Sequence, residues 1–307
     1  MSAANGAVEE EVIRGLRRNK LKDTAVFLKR FAQRQPLGTL GALIIIGMVI
    51  VGIFAPWIAP RDPYETSIYT QYAPLGTSGM LLGGDHMGRD VLSRLIYGAR
   101  ISLYVGLIST LIGVSLGTAL GITTATLGGK VDLFIQRFVD ALMAFPGLIL
   151  ALAIMAVMGS SLNNVILAIT IGFIPATSRA LRSQALSIAS MDYITAAKAL
   201  GVSQLRVIFR HVLPNCMSLS FVLASVTLGA AIIIESSLSF LGLGSPPEEP
   251  SWGGMISGQT YLFLRKAPYL VYLPSIAIGM AVFGFNMLGD ALRDLWDPRM
   301  RGGAGRV

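Results

Sequence analysis

ITAAKALGVSQLRVIFRHVLPN, Ile194–Asn215, interrupts a chain otherwise made of long apolar runs. It carries Lys198, Arg206, Arg210 and His211, with Gly201 at its centre and Pro214 near its end. Thr195–Leu200 is rich in alanine and favours helix. Gly201 suits the position just past a helix, where the backbone takes a positive φ. Ser190 is placed to cap the first helix, with Asp192 in the first turn, where negative charge is favoured. Ser203 is placed to cap a second helix reaching Leu213, and Pro214 to stop it or bend the chain. The expected unit is therefore two short helices meeting at Gly201. Ala196, Ala197 and Gly201 would leave a smooth surface for close backbone approach. Val202, Leu205 and Ile208 would form an apolar ridge, continued by Val212, of the kind that lies in a partner's groove. The same pattern also fits a DNA-binding helix-turn-helix or a plain structural elbow.

The flanking sequence sets the solvent. Hydrophobic residues make up 53% of the 307-residue chain and charged residues 14%, against about 25% charged in soluble domains. Mean hydropathy is +0.64. Crossing a bilayer takes about 20 apolar residues. Gly38–Ile58, Ile101–Leu127, Met217–Leu243 and Tyr269–Gly289 qualify, with Glu235 the one carboxylate deep inside a span. The stretch Ala141–Ala176 would make about 54 Å of helix, too long for one crossing. Its Gly159–Asn164 segment reads as a turn, which divides the region into two helices. The first would start near Val131, with Phe134, Phe138, Ala141 and Leu142 on its apolar face and Pro146 accommodated within it. Six spans result.

Charge tests that count. With the N-terminus inside, segments 1–37, 128–140, 177–216 and 290–307 hold 19 of the 25 Lys and Arg, and the external segments 59–100 and 244–268 hold six. None lies in an apolar core. This asymmetry follows the positive-inside rule. It explains the net charge of +8 without nucleic acid, and it sets aside the DNA-binding reading. Trp57 and Trp296 flank spans, and Trp252 lies in an external loop. The polar first 36 residues and the long first apolar run read as a retained anchor, not a cleaved signal. Cys216 is alone, and His86 and His211 lie far apart, so disulfide, CxxC metal and histidine-triad chemistry lack support. No metal and no cofactor are expected. No Walker A pattern occurs.

Four stretches are similar to one family. Thr195-Ala196-Ala197-x-x-x-Gly201, followed by His211-Val212-Leu213-Pro214, resembles the EAA motif of ABC-importer permeases, with Thr for Glu and His for Ile. GGDHMGRDVLSRLIYGARISL (Gly83–Leu103), ESSLSFLGLGSPPEEPSWGGM (Glu235–Met255) and FNMLGDALRDLWDPRMR (Phe285–Arg301) resemble segments of the dipeptide, oligopeptide and nickel permeases of the C type. The resemblance extends from about Arg34 onward. It implies an all-α polytopic membrane protein with six transmembrane helices, a MetI-like permease fold plus one extra N-terminal helix. It also implies a bacterial inner-membrane location with both termini cytoplasmic. The implied partners are a second homologous permease, two ATP-binding subunits that hydrolyse ATP, an extracytoplasmic substrate-binding protein and the lipid bilayer. In such permeases the EAA loop couples to the ATPase, a role that falls here on Asp192, Thr195, Ala196, Ala197, Gly201, Val202, Leu205, Ile208 and Pro214.

The implied division is a basic segment 1–36, a first helix 37–60, and an external segment 61–100 with an interfacial helix. A five-helix core 101–292, containing the coupling loop 190–215, and a tail 293–307 follow. Asp85, Arg89, Asp90, Arg94 and Trp252 are candidates for contact with the binding protein, with an Asp90–Arg94 ion pair at i,i+4. Asp290, Arg293, Asp294, Asp297 and Arg299 would pair at the end of the last span. Glu235, expensive in a membrane, has two readings: structural pairing with adjacent serines or a partner helix, or a place on the translocation path. An ion-coupled secondary transporter using Glu235 is the rival function.

Overall fold

The computed structural model describes residues 26, 29, 31–258, 260 and 265–296. The basic segment before Val26, and Asp297 and Arg299, lie outside the described residues. Among those described there is no β-strand, only two isolated bridges, Thr77 to Met80 and Gly84 to Asp90. Helix α1 (Pro36–Ile53) and the short α2 (Ala55–Ile58) lead into an irregular segment with one 3-10 turn, Ile68–Thr70. Then come α3 (Val91–Leu127), α4 (Gly129–Met143), α5 (Gly147–Met158), α6 (Leu162–Ala189), α7 (Asp192–Ala199) and α8 (Gln204–Val207). A π-helical turn, Ile208–Val212, carries α8 into α9 (Leu213–Phe240), and α10 (Trp252–Ile256) and α11 (Tyr269–Trp296) close the chain.

Five helices are long and apolar enough to cross a membrane, and six if the bent pair α4–α5 counts as one span. The bend is 89°. Here the sequence reading needs correction: Pro146 does not sit inside a helix but ends one. It has no N–H to give to Leu142, and its ring drives Phe145 away from helical geometry. Phe145 N–H instead closes a tight turn onto Leu142 O, and a new helix starts from the Pro146 carbonyl. The aromatic face expected on this helix is real, but Phe134 and Phe138 point outward. The opposite face is strapped to α6 by a two-pronged Asp132–Arg182 pair at 2.6 and 2.5 Å and an Asp140–Arg179 pair. The expected turn at Gly159–Asn164 is present at its first half, where Gly159 has φ +80°. Leu162–Asn164 already belong to α6, capped by Ser161.

A second correction concerns the external segment. There is no separate interfacial helix before the second span. Val91 opens a single helix of 37 residues, about 55 Å long. Asp90 caps it, accepting from Ser93 N at 2.8 Å and Ser93 Oγ at 2.6 Å.

Helices meet where side chains are small, as expected where apolar solvent supplies no hydrophobic drive. Gly113, Gly117 and Gly121 line the face of α3 that meets α6, and a Cβ at Gly121 would collide with Ser178 O. On the other side of the bundle Gly41 of α1 lies against the Gly284 carbonyl of α11. Three buried clusters result. One joins α3, α5, α6 and α9 around Met155 and Ile169. One joins α3 and α6 to α7, α8 and the π turn around Leu181 and Ile194. The third joins α3, α9, α10 and α11 around Trp252 and Ile232. The outward side chains of α1, from Leu37 to Ile53, stay exposed, as on a helix that faces lipid.

Candidate functional site

The Ile194–Asn215 unit forms as two helices joined at Gly201, through different capping from that expected. Ser190 has helical backbone angles and belongs to the end of α6. Its hydroxyl turns back to Ser187 O at 2.9 Å, so the residue at the start of α7 is Met191, with no side-chain cap. Asp192 does occupy the first turn. Gly201, at φ +78°, closes α7 with paired bonds, from Val202 N to Ala197 O and from Gly201 N to Lys198 O. This is the two-bond termination that a left-handed residue permits. A Cβ at Gly201 would meet nothing within 4 Å, so the glycine is required by its φ and not by crowding.

Ser203 occupies the cap position of α8 without a side-chain bond. The second helix does not stop at Leu213. The π turn absorbs Pro214: Leu213 N–H reaches back five residues to Ile208 O, and Asn215 Nδ2 bonds His211 O at 2.6 Å. A wide turn of this sort commonly marks a functional position in a helix. Pro214 then sits in the first turn of α9, where its missing N–H costs little.

The apolar ridge divides in two. Ile208 and Val212 point inward with Ile194 and Val207, against Ile122, Leu181 and Cys216. Leu205 is exposed, as are Asp192, Thr195 and Ala196, while Ala197 and Val202 are half-buried. The outer surface also carries Tyr193, Leu200 and Phe209, which the spacing argument passed over; Leu200 is 85% exposed. Their signal was simple, apolar side chains in a polar loop. The Tyr193 and His211 rings meet edge-on at 6.1 Å and brace α7 against the π turn. Phe209 and Ile208 also line a groove of 360 Å³ between α3 and the start of α9, with Thr118, Ser220, Met217 and Phe221. Thr118 and Ser220 hydrogen-bond across it at 3.2 Å.

Glu235 is wholly buried. Ser239 Oγ donates to its Oε1 at 3.0 Å, and Ser102 Oγ and Ser236 Oγ to its Oε2 at 3.3 and 3.4 Å. The Ser102 contact ties α9 to α3. Of the adjacent serines expected as partners, Ser236 bonds the carboxylate, and Ser239, one turn beyond, was passed over. Ser237 instead bonds Ile233 O at 2.7 Å.

The five residues expected to meet a binding protein offer no exposed surface. Asp85, Arg89, Asp90, Arg94 and Trp252 are all buried. Arg89 Nε donates to Asp85 Oδ2 at 2.7 Å, and Arg94 Nε lies 3.8 Å from the same oxygen. The expected Asp90–Arg94 side-chain pair is replaced by this arrangement, because Asp90 is engaged as the cap of α3. Arg94 instead reaches the Pro63 carbonyl at 3.1 Å and the Glu248 carbonyl at 3.3 Å. Trp252 Nε1 bonds Leu95 O at 3.0 Å. These residues lock the loop after α9 and the segment after α2 onto the start of α3. Burial holds the neighbouring His86 imidazole below its ordinary pKa, with Asp85 opposing and Arg89 and Arg94 reinforcing. At the other end of the bundle, Asp294 accepts from Gln35 Nε2 at 2.9 Å. That bond ties the end of α11 to the start of α1.

A helical bundle with glycine-packed spans and a braced polar loop between the fourth and fifth of them is the frame of a membrane permease. Residues 117–302 match the family described as binding-protein-dependent transport system inner membrane component, and residues 24–74 match the N-terminal transmembrane domain of oligopeptide transport permease C. The chain belongs to the first of these families, as a transmembrane permease subunit of an ATP-binding-cassette importer. It is 40% identical over 279 residues to the glutathione transport system permease protein GsiD of Escherichia coli O6:H1, covering 90% of each chain. It is 38% identical over 275 residues to GsiD of Pectobacterium atrosepticum, covering 90% of this chain and 91% of that one. Among solved structures it is similar to a chain of the MetNI methionine ABC transporter in inward-facing conformations. That likeness has a TM-score of 0.52 at 17% identity and covers 65% of this chain and 96% of the other. It bears out the MetI-like fold. Family membership also removes the ground for an ion-coupled secondary transporter.

Proposed function

We propose that this chain forms one half of the path by which a bacterial importer takes up di- or oligopeptides, or a related small solute such as glutathione. A second homologous permease supplies the other half, two separate subunits hydrolyse ATP, and a soluble binding protein delivers the solute from outside. The α7–Gly201–α8 knuckle faces the cytoplasm, with both termini on the same side, and docks on an ATPase subunit. One observation carries this reading. The knuckle is bolted to the bundle through Ile194, Val207, Ile208 and Val212 while Leu200, Leu205 and Phe209 stand free. A load applied to its outer surface therefore passes through the π turn into α9 and the groove beside it. Asp192, Thr195, Ala196 and Ala197 complete the outer surface. Thr195 offers a hydroxyl where the motif has a carboxylate, so docking here rests on shape and apolar contact more than on charge. Glu235, satisfied by serines of two helices, holds α3 and α9 together and does not carry the solute. The distribution of 19 basic residues inside and six outside supports the orientation.

Reconstituting the whole importer with Leu200→Asp and Leu205→Asp tests the coupling. Burying a charge in an apolar groove costs several kcal/mol, so uptake falls at least tenfold while the chain remains membrane-inserted. Wild-type uptake and wild-type stimulated ATPase activity in both variants would sink the reading. Competition of labelled dipeptide uptake by unlabelled peptides and glutathione assigns the solute.

A further inference from the structure

With the charged cluster buried, the external surface has a different character. Residues 66–84 contain no Asp, Glu, Lys or Arg, yet they display several highly exposed apolar side chains. Ile68 is 81% exposed, Tyr69 99% and Leu81 69%, with Leu75 and Met87 also exposed nearby. An apolar surface of this kind, held outward at an energetic cost, marks a contact site.

The display is rigid. Two limbs of backbone, Ser67–Ala73 and Gly83–Gly88, are stitched by Ser67 N to Met87 O, Tyr72 N to Asp85 O and Gly84 N to Ala73 O. Thr70 Oγ1 donates to Gly88 O at 2.8 Å, and Tyr269 OH of α11 donates to Ala73 O at 2.7 Å. Gly88 takes φ +77°, and a Cβ there would strike Ser67 O. Beneath lie the Asp85, Arg89 and Arg94 side chains. Beside the apex opens a cleft of 530 Å³ whose walls include Thr66, Ser67, Gln71 and Met87. A knob of one aromatic and one branched aliphatic side chain next to a partly polar socket matches the centre and rim of a protein–protein contact. Because the backbone is already fixed, little ordering entropy opposes docking. The hydroxyl and amide groups in the same wall suit a protein surface and not hydrocarbon.

We infer that the Ile68–Tyr69 knob and its adjoining cleft are the surface on which the soluble, extracytoplasmic substrate-binding protein docks. The family is defined by dependence on such a protein, and the inference rests on the outward orientation of this segment given under Proposed function. The partner surface should be an uncharged hollow with hydroxyl or amide groups at its edge.

The test uses the complete importer in lipid nanodiscs, titrated with its own purified, substrate-loaded binding protein while ATP hydrolysis is followed. For the doubly substituted Ile68→Asp, Tyr69→Asp importer, the half-saturating concentration of binding protein rises at least tenfold. Hydrolysis without binding protein stays at the wild-type level, and Tyr69→Phe restores most of the affinity. A titration curve superimposable on wild type overturns the inference. A Tyr69→Cys importer, assembled first and then exposed to a maleimide, guards against misassembly. Its labelling is slowed by saturating binding protein, and equal labelling with and without it overturns the inference. Slow labelling in nanodiscs lacking binding protein also overturns it, in favour of a lipid-facing knob. If binding protein fails to stimulate even the wild-type complex, the importer reading itself falls.

Discussion

At the level of single residues, two positions carry requirements that the substitutions can separate. Gly201 sits at φ +78° in open space, so only backbone preference limits what replaces it. Asn enters the left-handed region at modest cost, whereas a β-branched side chain is disfavoured there by about 1–2 kcal/mol. Gly201→Asn should therefore keep most uptake and Gly201→Val should lose much of it, with both chains still in the membrane. Equal uptake in the two variants would mean the left-handed turn is dispensable. Glu235 poses the complementary case. Removing its carboxylate leaves three buried serine hydroxyls with one acceptor fewer, and a buried unmatched polar group costs about 1–3 kcal/mol. Glu235→Ala should lower the thermal unfolding midpoint of the purified chain, and Glu235→Gln, which retains an acceptor oxygen, should lower it less.

At the level of elements, the sequence spoke clearly where apolar runs were long and ended in charge. α1, α9, α11 and the part of α3 from Ile101 onward were legible for that reason, since a lipid solvent demands continuous helices and forbids stray charges. Legibility failed at ends and breaks. Ser190 looked like a cap because it precedes a helix, yet it also follows one, and α6 claimed it. Pro146 looked tolerable inside a span because neighbouring helices can satisfy freed backbone groups, but here the chain turns by 89°. Asp90 had two suitors in Arg94 and Ser93, and only three dimensions reveal that Asp85 already stands beside Arg94. Ile208 belonged by spacing to an outer ridge, but it packs inward beside Val207 against Ile122 and Leu181. The Asp90 cap makes a testable point: Asp90→Ala removes both Ser93 bonds and should cost about 1–2 kcal/mol. Fraying of the α3 start should then appear as faster amide exchange over the first turns after Val91. Unchanged exchange there would show the cap to be redundant.

For the whole molecule, the buried external charges and the inward anchors of the knuckle give the bundle two firm ends. The proposed sidedness can be measured. Tyr69→Cys should react with an impermeant maleimide in intact cells, and Leu200→Cys only after the inner face is opened. The native Cys216 is buried, so it should contribute little background. Reaction of Leu200→Cys in intact cells would invert the topology and remove the basis for coupling.

The wide turn at Ile208–Val212 has one more consequence. It holds an extra residue relative to an α-helix, so it sets the angular phase between the loop beyond it and the long span that follows. Deleting one residue there, such as Arg210, would let the chain relax to ordinary pitch and swing the outer loop by about 100° about the helix axis. The transporter should then stall although every contact residue on the loop survives, and a compensating insertion one turn earlier should set the clock right again.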